Sequence, residues 1–209
     1  MDISVVIPLY NEDESLPELF SWIKRVMEEN KFTYEVIFVN DGSTDRSWDV
    51  INELHNQNPD TVHGIKFRRN YGKSPALYCG FDRAKGDVVI TMDADLQDDM
   101  DAMDRFLEKY EEGCEIVYGV RNKRDTDTFF KRFTAEGFYK VMKALGVDIV
   151  FNHADYRLMS RRAVEGLAQF SEVNLFLRGI VPQIGYKWTT VTYERAERFA
   201  GESKYPLKK

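Results

Sequence analysis

Asp93 and Asp95 stand one residue apart at the end of the stretch DVVITMDADLQ, residues 87–97. In extended backbone, positions i and i+2 point the same way, so this spacing sets two carboxylates side by side. Two close carboxylates repel each other unless a proton or a cation lies between them. Hard oxygen ligands of this kind suit Mg²⁺ or Mn²⁺, usually shared with the phosphates of a substrate. Gln97, two positions further on, offers an amide oxygen to the same cation. Asp-x-Asp is also an ordinary turn sequence, so the element that carries the pair has to decide between chemistry and connection.

That element is a strand. Val88-Val89-Ile90 is a short apolar run that stops at a charge switch, as a buried parallel strand does when it reaches the rim of its sheet. Open α/β sheets bind ligands at the carboxyl ends of their strands. The pattern around it predicts strands over 3–7, 35–39, 62–67, 88–92 and 115–118. Between them it predicts helices over 14–29, 47–55, 74–84 and 100–110, the first with Leu16, Leu19, Phe20, Ile23, Val26 and Met27 on one face. Ser43 or Thr44 is the expected cap of the second helix. Alternation of this kind builds a mostly parallel sheet with right-handed crossovers. Beyond Gly119 the pattern changes: a long helix over 129–145, a short strand over 156–159, helices over 161–169 and 175–184, and a strand over 188–193. The expected fold class is α/β, a single nucleotide-binding domain over 1–209 whose central sheet is flanked by helices. Residues 1–120 carry the regular alternation, and 121–209 form a second half that completes the site.

The other early strands also end in polar residues. They run into Pro8-Leu9-Tyr10-Asn11-Glu12, Asn40-Asp41-Gly42-Ser43-Thr44-Asp45 and Arg68-Arg69-Asn70-Tyr71-Gly72-Lys73. One such end is a turn; parallel topology puts all four on one rim. Gly72-Lys73-Ser74 is not a P-loop, because the required first glycine would stand where Phe67 does. No Gly-x-Gly-x-x-Gly follows the first strand, so the dinucleotide fingerprint is missing.

Composition narrows the classes. The chain has 209 residues, 43% of them hydrophobic, a net charge of −6 and a mean hydropathy of −0.47, values of a globular rather than a disordered chain. Residues 1–60 hold 13 acids and 4 bases, a balance of −9, whereas 121–143 hold 7 bases and 3 acids, a balance of +4. The asymmetry points to an anionic partner for the second half, while the acidic total argues against nucleic acid. Cys79 and Cys114 have no zinc spacing and fit a reduced compartment. No signal peptide and no apolar run of membrane-spanning length is expected.

The motifs VVIPLYNE (5–12), VNDGSTD (39–45), RNYGK (69–73), MDADLQD (92–98) and YGVR (118–121), in that order, resemble those of the family 2 glycosyltransferases, which have the GT-A fold. ADYRLMSR (154–161) and RFAGESKYPLKK (198–209) are similar to the polyprenyl-phosphate glycosyltransferases within that family. The resemblance implies transfer of a sugar, with inversion, from a nucleotide-diphosphate sugar (UDP-linked) to a polyprenyl (undecaprenyl) phosphate at the cytoplasmic face of the cell membrane, with transmembrane helices expected after the end of this chain. It implies that Pro8, Tyr10, Glu12, Asp41, Lys73, Asp93 and Ala94 line the nucleotide, and that Asp41 accepts a hydrogen bond from the base. Asp93, Asp95 and Gln97 would hold Mg²⁺ or Mn²⁺, with Asp95 counted also among the catalytic residues. Arg121, Arg132, Arg198, Ser203 and Lys204 would bind the acceptor phosphate. Asp155 takes the position of the family's catalytic carboxylate, as a base, as a group that orients the acceptor or Arg157 or stabilises positive charge developing on the sugar ring, or as a structural partner of Arg157 or Arg161. The helix over 129–145, with Phe130, Phe133, Phe138, Val141, Met142 and Leu145 flanked by lysines and Arg132, either lies on a membrane surface or packs on the domain. Rival readings are a saccharide acceptor, a sugar nucleotidyltransferase and a non-catalytic nucleotide-sugar-binding domain. The identity of the sugar and the formation of a homo-oligomer stay open.

Overall fold

The computed structural model describes residues 1–122, 153–170 and 177–194. The expected helix over 129–145, with Arg132, and the C-terminal Arg198, Ser203 and Lys204 lie outside the described residues.

The strands are β1 (Ile3–Leu9), β2 (Tyr34–Asn40), β3 (Val62–Lys66), β4 (Val88–Thr91), β5 (Ile116–Arg121), β6 (His153–Ser160) and β7 (Trp188–Tyr193). The helices are α1 (Leu16–Glu29), α2 (Ser47–Gln57), α3 (Lys73–Arg83), α4 (Ala102–Glu111), α5 (Arg161–Leu167) and α6 (Leu177–Gln183). The strands form one sheet in the order β3-β2-β1-β4-β6-β5-β7. β1, β2, β3 and β4 pair in parallel, as do β5 and β7. β6 runs antiparallel between β4 and β5. The mostly parallel sheet predicted from the alternation is present, with one reversed strand that was expected only as a short piece over 156–159.

β1 shows why the apolar runs are continuous. Every residue from Ile3 to Leu9 is buried. Val5, Ile7 and Leu9 join the core beneath α1, α2 and α4, while Val6 joins the opposite core beneath α3 and α5. A strand covered on both faces needs no polar alternation, and each fully buried aliphatic side chain contributes about 1.5–3 kcal/mol. Leu16, Leu19, Phe20, Ile23, Val26 and Met27 of α1 are all buried, with a proline in the helix's first turn. At the amino ends of the strands the buried Glu35 accepts hydrogen bonds from Ser4 Oγ (2.6 Å) and Lys85 N (2.7 Å), which fixes the turn into β4.

The capping expectation is corrected. The N-cap of α2 is Arg46, whose side chain makes no cap bond. Asp45 Oδ1 accepts from Ser47 N instead (3.0 Å), because Ser43 and Thr44 are engaged across the rim.

Candidate active site

β1 to β4 deliver their carboxyl ends to one rim, and the loops there are tied to one another. Asn11, in the left-handed region at φ 55°, donates its amide to Ser43 Oγ (3.0 Å) and accepts from Thr44 N on its side chain (2.8 Å). Glu12 N donates to Ser47 Oγ (3.0 Å). Pro8 lies beyond the last β1–β4 pair, Val6 with Thr91, so it stands where the two strands have already parted. Tyr10 and Glu12 follow it, half-buried. Asp41 is 4% exposed and accepts from Tyr71 N (2.7 Å) and Gly72 N (2.9 Å). Its carboxylate, expected to receive a base, thus already organises the 69–73 loop; a carboxylate has about four lone-pair sites, so two such bonds leave room for another. Gly42 makes the approach possible: at φ +74°, a Cβ there would lie 2.4 Å from the backbone carbon of Arg69.

The segment after β4 keeps a strand-like alternation of burial although it turns. Asp93, Asp95, Gln97 and Asp99 are half-exposed, whereas Met92, Ala94, Leu96, Asp98 and Met100 are buried. Asp93, Asp95 and Gln97 thus all fall on the half-exposed set, although the backbone turns there and Leu96 passes through the left-handed region at φ 58°. Ala94 sits in the core, so any ligand contact there would come from its backbone.

Asp155, on the reversed β6, reaches the same rim. Lys73 Nζ bridges the two halves of the chain: it is ion-paired with Asp93 Oδ1 and lies 2.7 Å from Asp155 Oδ2. Arg157, with 1% of its side chain exposed, pairs with the other oxygen of Asp155 at 3.0 Å. Burial alone would lower the Lys73 ammonium, but Asp93 and Asp155 outweigh it and hold the group above the ordinary lysine value. Lys73 is therefore a cation at neutral pH, set between the carboxylates of two separate motifs. Arg121 ends β5 with its guanidinium 3.8 Å from Asp93 Oδ2 and 3.4 Å from Asp98 Oδ1.

Two residues of the site escaped the sequence reading. Asp98 is buried at the base of the loop, where its carboxylate accepts from Tyr193 Oη at 2.5 Å and from Asp93 N at 3.3 Å. Burial pushes its carboxyl up and Asp93 adds to this, while the Tyr193 hydrogen bond and the Arg121 charge pull it part of the way back. Tyr193 also accepts from Arg121 Nε (3.2 Å). The only signal for Asp98 in the sequence was its place at the end of the MDADLQD motif, and Tyr193 carried none.

The donor set suits a hard divalent cation. Asp95 Oδ1 accepts from the amide of Gln97 (3.3 Å), and among the described residues Asp95 has no cationic partner, so its remaining lone pairs are the least committed on the rim. Asp93 is balanced by Lys73 and Arg121. Asp95 would be the principal ligand, with Asp93 and Gln97 beside it, and the cation would supply positive charge next to a bound diphosphate.

The chain matches the model of a family described as "Glycosyl transferase family 2" over residues 4–167. It is 49% identical over 215 residues to "Uncharacterized glycosyltransferase YkoT" of Bacillus subtilis, covering 99% of this chain and 64% of that protein. It is 41% identical over 206 residues to "Bactoprenol glucosyl transferase" of Shigella phage SfV, covering 98% of this chain and 67% of that one. The chain thus spans about two thirds of the length of these relatives. Among solved structures, mannosyl-3-phosphoglycerate synthase from Rubrobacter xylanophilus superposes with a TM-score of 0.67 at 15% identity, over 96% of this chain and 68% of the other. The mannosyltransferase PcManGT from Pyrobaculum calidifontis, in complex with GDP-Man and Mn²⁺, superposes with a TM-score of 0.63 at 20% identity, over 95% and 57%.

Proposed function

The chain belongs to glycosyl transferase family 2, and from that premise we propose that it transfers a sugar from a nucleotide-diphosphate sugar to a polyprenyl phosphate. The observation that carries the proposal is the convergence of Asp93, Lys73 and Asp155 on one rim. A diphosphate-binding loop and a carboxylate from the far half of the chain meet there, at the carboxyl ends of the strands.

In this reading the loops after β1, β2 and β3 hold the nucleoside, with Tyr10, Glu12 and Asp41 beside it. Asp95, with Asp93 and Gln97, would hold Mg²⁺ or Mn²⁺, and the solved structure of PcManGT is in complex with Mn²⁺. Such a cation would supply positive charge to offset that of the departing nucleoside diphosphate. Lys73 adds a second positive charge on the same side. An oxygen of the acceptor phosphate forms a bond to the anomeric carbon while the bond from that carbon to the diphosphate breaks. The electron pair leaves with the nucleoside diphosphate, and attack from the opposite face gives inversion.

The acceptor decides what Asp155 has to do. A phosphate monoester, with a second pKa of about 6, is largely a dianion at neutral pH, so little proton abstraction is needed. Asp155 lies between Lys73 and Arg157, which fits an orienting role better than that of a strong base. Arg121 is the described member of the proposed phosphate-binding set; a guanidinium can take a phosphate through two parallel N–H groups. The name of the Shigella phage relative supports a bactoprenol-type acceptor and glucose, and UDP is the donor we favour.

Membrane association follows from a lipid acceptor, not from this fold; among the described residues no helix is long and apolar enough to cross a membrane. The test is a panel of UDP- and GDP-sugars, labelled in the sugar, incubated with undecaprenyl phosphate and Mn²⁺ and counted in the organic phase. We expect label to move from a UDP-hexose. Transfer to saccharides, with none to the lipid phosphate, would replace this reading by that of a saccharide-acceptor enzyme.

A further inference from the structure

We propose that the cavity between the end of α3 and the β2–β3 edge of the sheet is a second ligand site. It takes a small amphipathic anion, a phosphate or carboxylate head on a short hydrocarbon body. The inference does not depend on the sugar-transfer reading. The cavity follows from how α3 packs. The helix presses on β1 and β2 through Ala76, Leu77, Gly80 and Phe81, so closely that a Cβ at Gly80 would collide with Val6. β3 is the last strand on that side of the sheet, and its His63 and Ile65 are only half-buried. A space of about 510 Å³ is left between them and the helix, within the range of small-molecule sites, about 300–1,000 Å³.

Three elements turn one face towards this space, each at its own period. Glu35 and Ile37 of β2 and His63 and Ile65 of β3 stand two apart, and Cys79 and Arg83 of α3 stand four apart. Ile37, Ile65 and Cys79 give it an apolar wall, while Lys66, Arg83 and Lys85 give it three permanent cations. Glu35 is the one carboxylate of the lining, and it is committed. It is 1% exposed, accepts from Ser4 Oγ and Lys85 N on one oxygen, and faces His63 Nε2 at 3.6 Å with the other. Arg83 Nε stands 4.0 Å from Asp82 Oδ2, but both side chains are largely exposed, and such a pair is weak. With His63 neutral, the lining carries a formal surplus of +2, three cations against one carboxylate. The surplus faces a region of the chain whose first 60 residues hold a balance of −9. An anionic head meets the cations through charge-assisted hydrogen bonds, and an alkyl body removes the isoleucine wall from water. Arg83 lies ten residues along α3 from Lys73, about 15 Å, so the cavity is separate from the rim of the candidate active site.

The test follows the backbone amide signals of ¹⁵N-labelled protein during titration with hexyl phosphate, hexanoate, inorganic phosphate and hexanol. We expect hexyl phosphate or hexanoate to shift the amides of 35–37, 63–66 and 79–85 saturably. The expected Kd is about 1 mM, the affinity that ligands with so few atoms reach, and the tighter of the two identifies the head group. Inorganic phosphate and hexanol each lack half of the ligand and should bind at least about tenfold more weakly. The double variant Arg83→Gln/Lys85→Gln should also bind about tenfold more weakly, Cys79→Phe should fill the cavity and abolish saturable shifts, and saturating UDP should leave the titration unchanged. No saturable shift with either amphiphile overturns the proposal. So does a fragment that binds as well as the amphiphile, unchanged affinity in the double variant, or displacement by UDP. Arg83 and Lys85 are both exposed, so the double variant keeps the test decisive even if Cys79→Phe does not fold.

Discussion

Replacing Gly42 by alanine tests how tightly the loops of the rim depend on one another. Gly42 has φ +74°, and a Cβ built there falls 2.4 Å from the carbonyl carbon of Arg69 and 2.6 Å from the amide nitrogen of Asn70. Both obstacles are backbone, so no side chain can rotate away. The left-handed conformation costs a residue with a Cβ about 1–2 kcal/mol, and the forced backbone shift adds about 1–3 kcal/mol, as overpacking does. A loss of about 3 kcal/mol in a chain of this size lowers the thermal midpoint by about 6–12 °C. Gly113→Ala is the control: φ is +84° but the nearest atom to its Cβ is Lys187 Nζ at 3.9 Å, so only the conformational cost applies, about 2–8 °C. The displaced 69–70 backbone also carries the amides of Tyr71 and Gly72 that hold Asp41, so UDP affinity measured by calorimetry falls in Gly42→Ala and not in Gly113→Ala. A Gly42→Ala protein no less stable than Gly113→Ala, with UDP affinity intact, would refute the argument that these loops are packed backbone against backbone.

Asp155→Asn removes the charge between Lys73 and the buried Arg157; we expect a stability loss of about 2 kcal/mol, below the full cost of breaking a buried pair because the amide oxygen still accepts. Transfer activity is expected to fall about 100-fold, the scale of a lost positioning contact, and not to recover at pH 9, whereas recovery there would identify Asp155 as a base. Burial pushes the Tyr118 phenol up to about 12, and burial pushes Tyr156 and Tyr193 up as well. A raised pKa means that the neutral phenols contribute stability that is present in full below an unfolded value of about 10 and is lost as pH rises from there through the folded value. Absorbance at 295 nm should therefore show these phenols ionising together with the loss of circular dichroism above pH 10, and ionisation of all 11 tyrosines in a folded chain would contradict it.

What the sequence disclosed and what it hid follow from the range of the interactions. β1 to β4 and their helices rest on local periodicity, and the polar strand ends lie together because parallel topology leaves them no other place. The alternation of burial over 92–100 follows a two-residue period, although the backbone turns after β4 and Leu96 is left-handed. β6 was underestimated because its position is decided by distant partners: it pairs Val88–Thr91 with 157–160 and Ile116–Tyr118 with 157–159, on both sides of one short segment. The same reversal brings Asp155 to Lys73, across 82 positions of sequence (73 to 155). No period encodes the meeting of Asp98, Arg121 and Tyr193, which depends on β5 and β7 pairing in register. Helix capping at α2 failed for a related reason: Ser43 and Thr44 have the right chemistry for a cap, but the neighbouring loop at Asn11 claims them first.

The central claim is that Asp95, on the rim it shares with Asp93, Lys73 and Asp155, serves metal-dependent sugar transfer to a lipid phosphate. The most direct measurement is organic-phase label from UDP-sugar and undecaprenyl phosphate for wild type with Mn²⁺, wild type with EDTA, and Asp95→Asn with Mn²⁺, with thermal midpoints recorded in parallel. Label in the first sample alone, with Asp95→Asn still folded, is the expected outcome. Undiminished transfer by folded Asp95→Asn, or by wild type in EDTA, would contradict the claim.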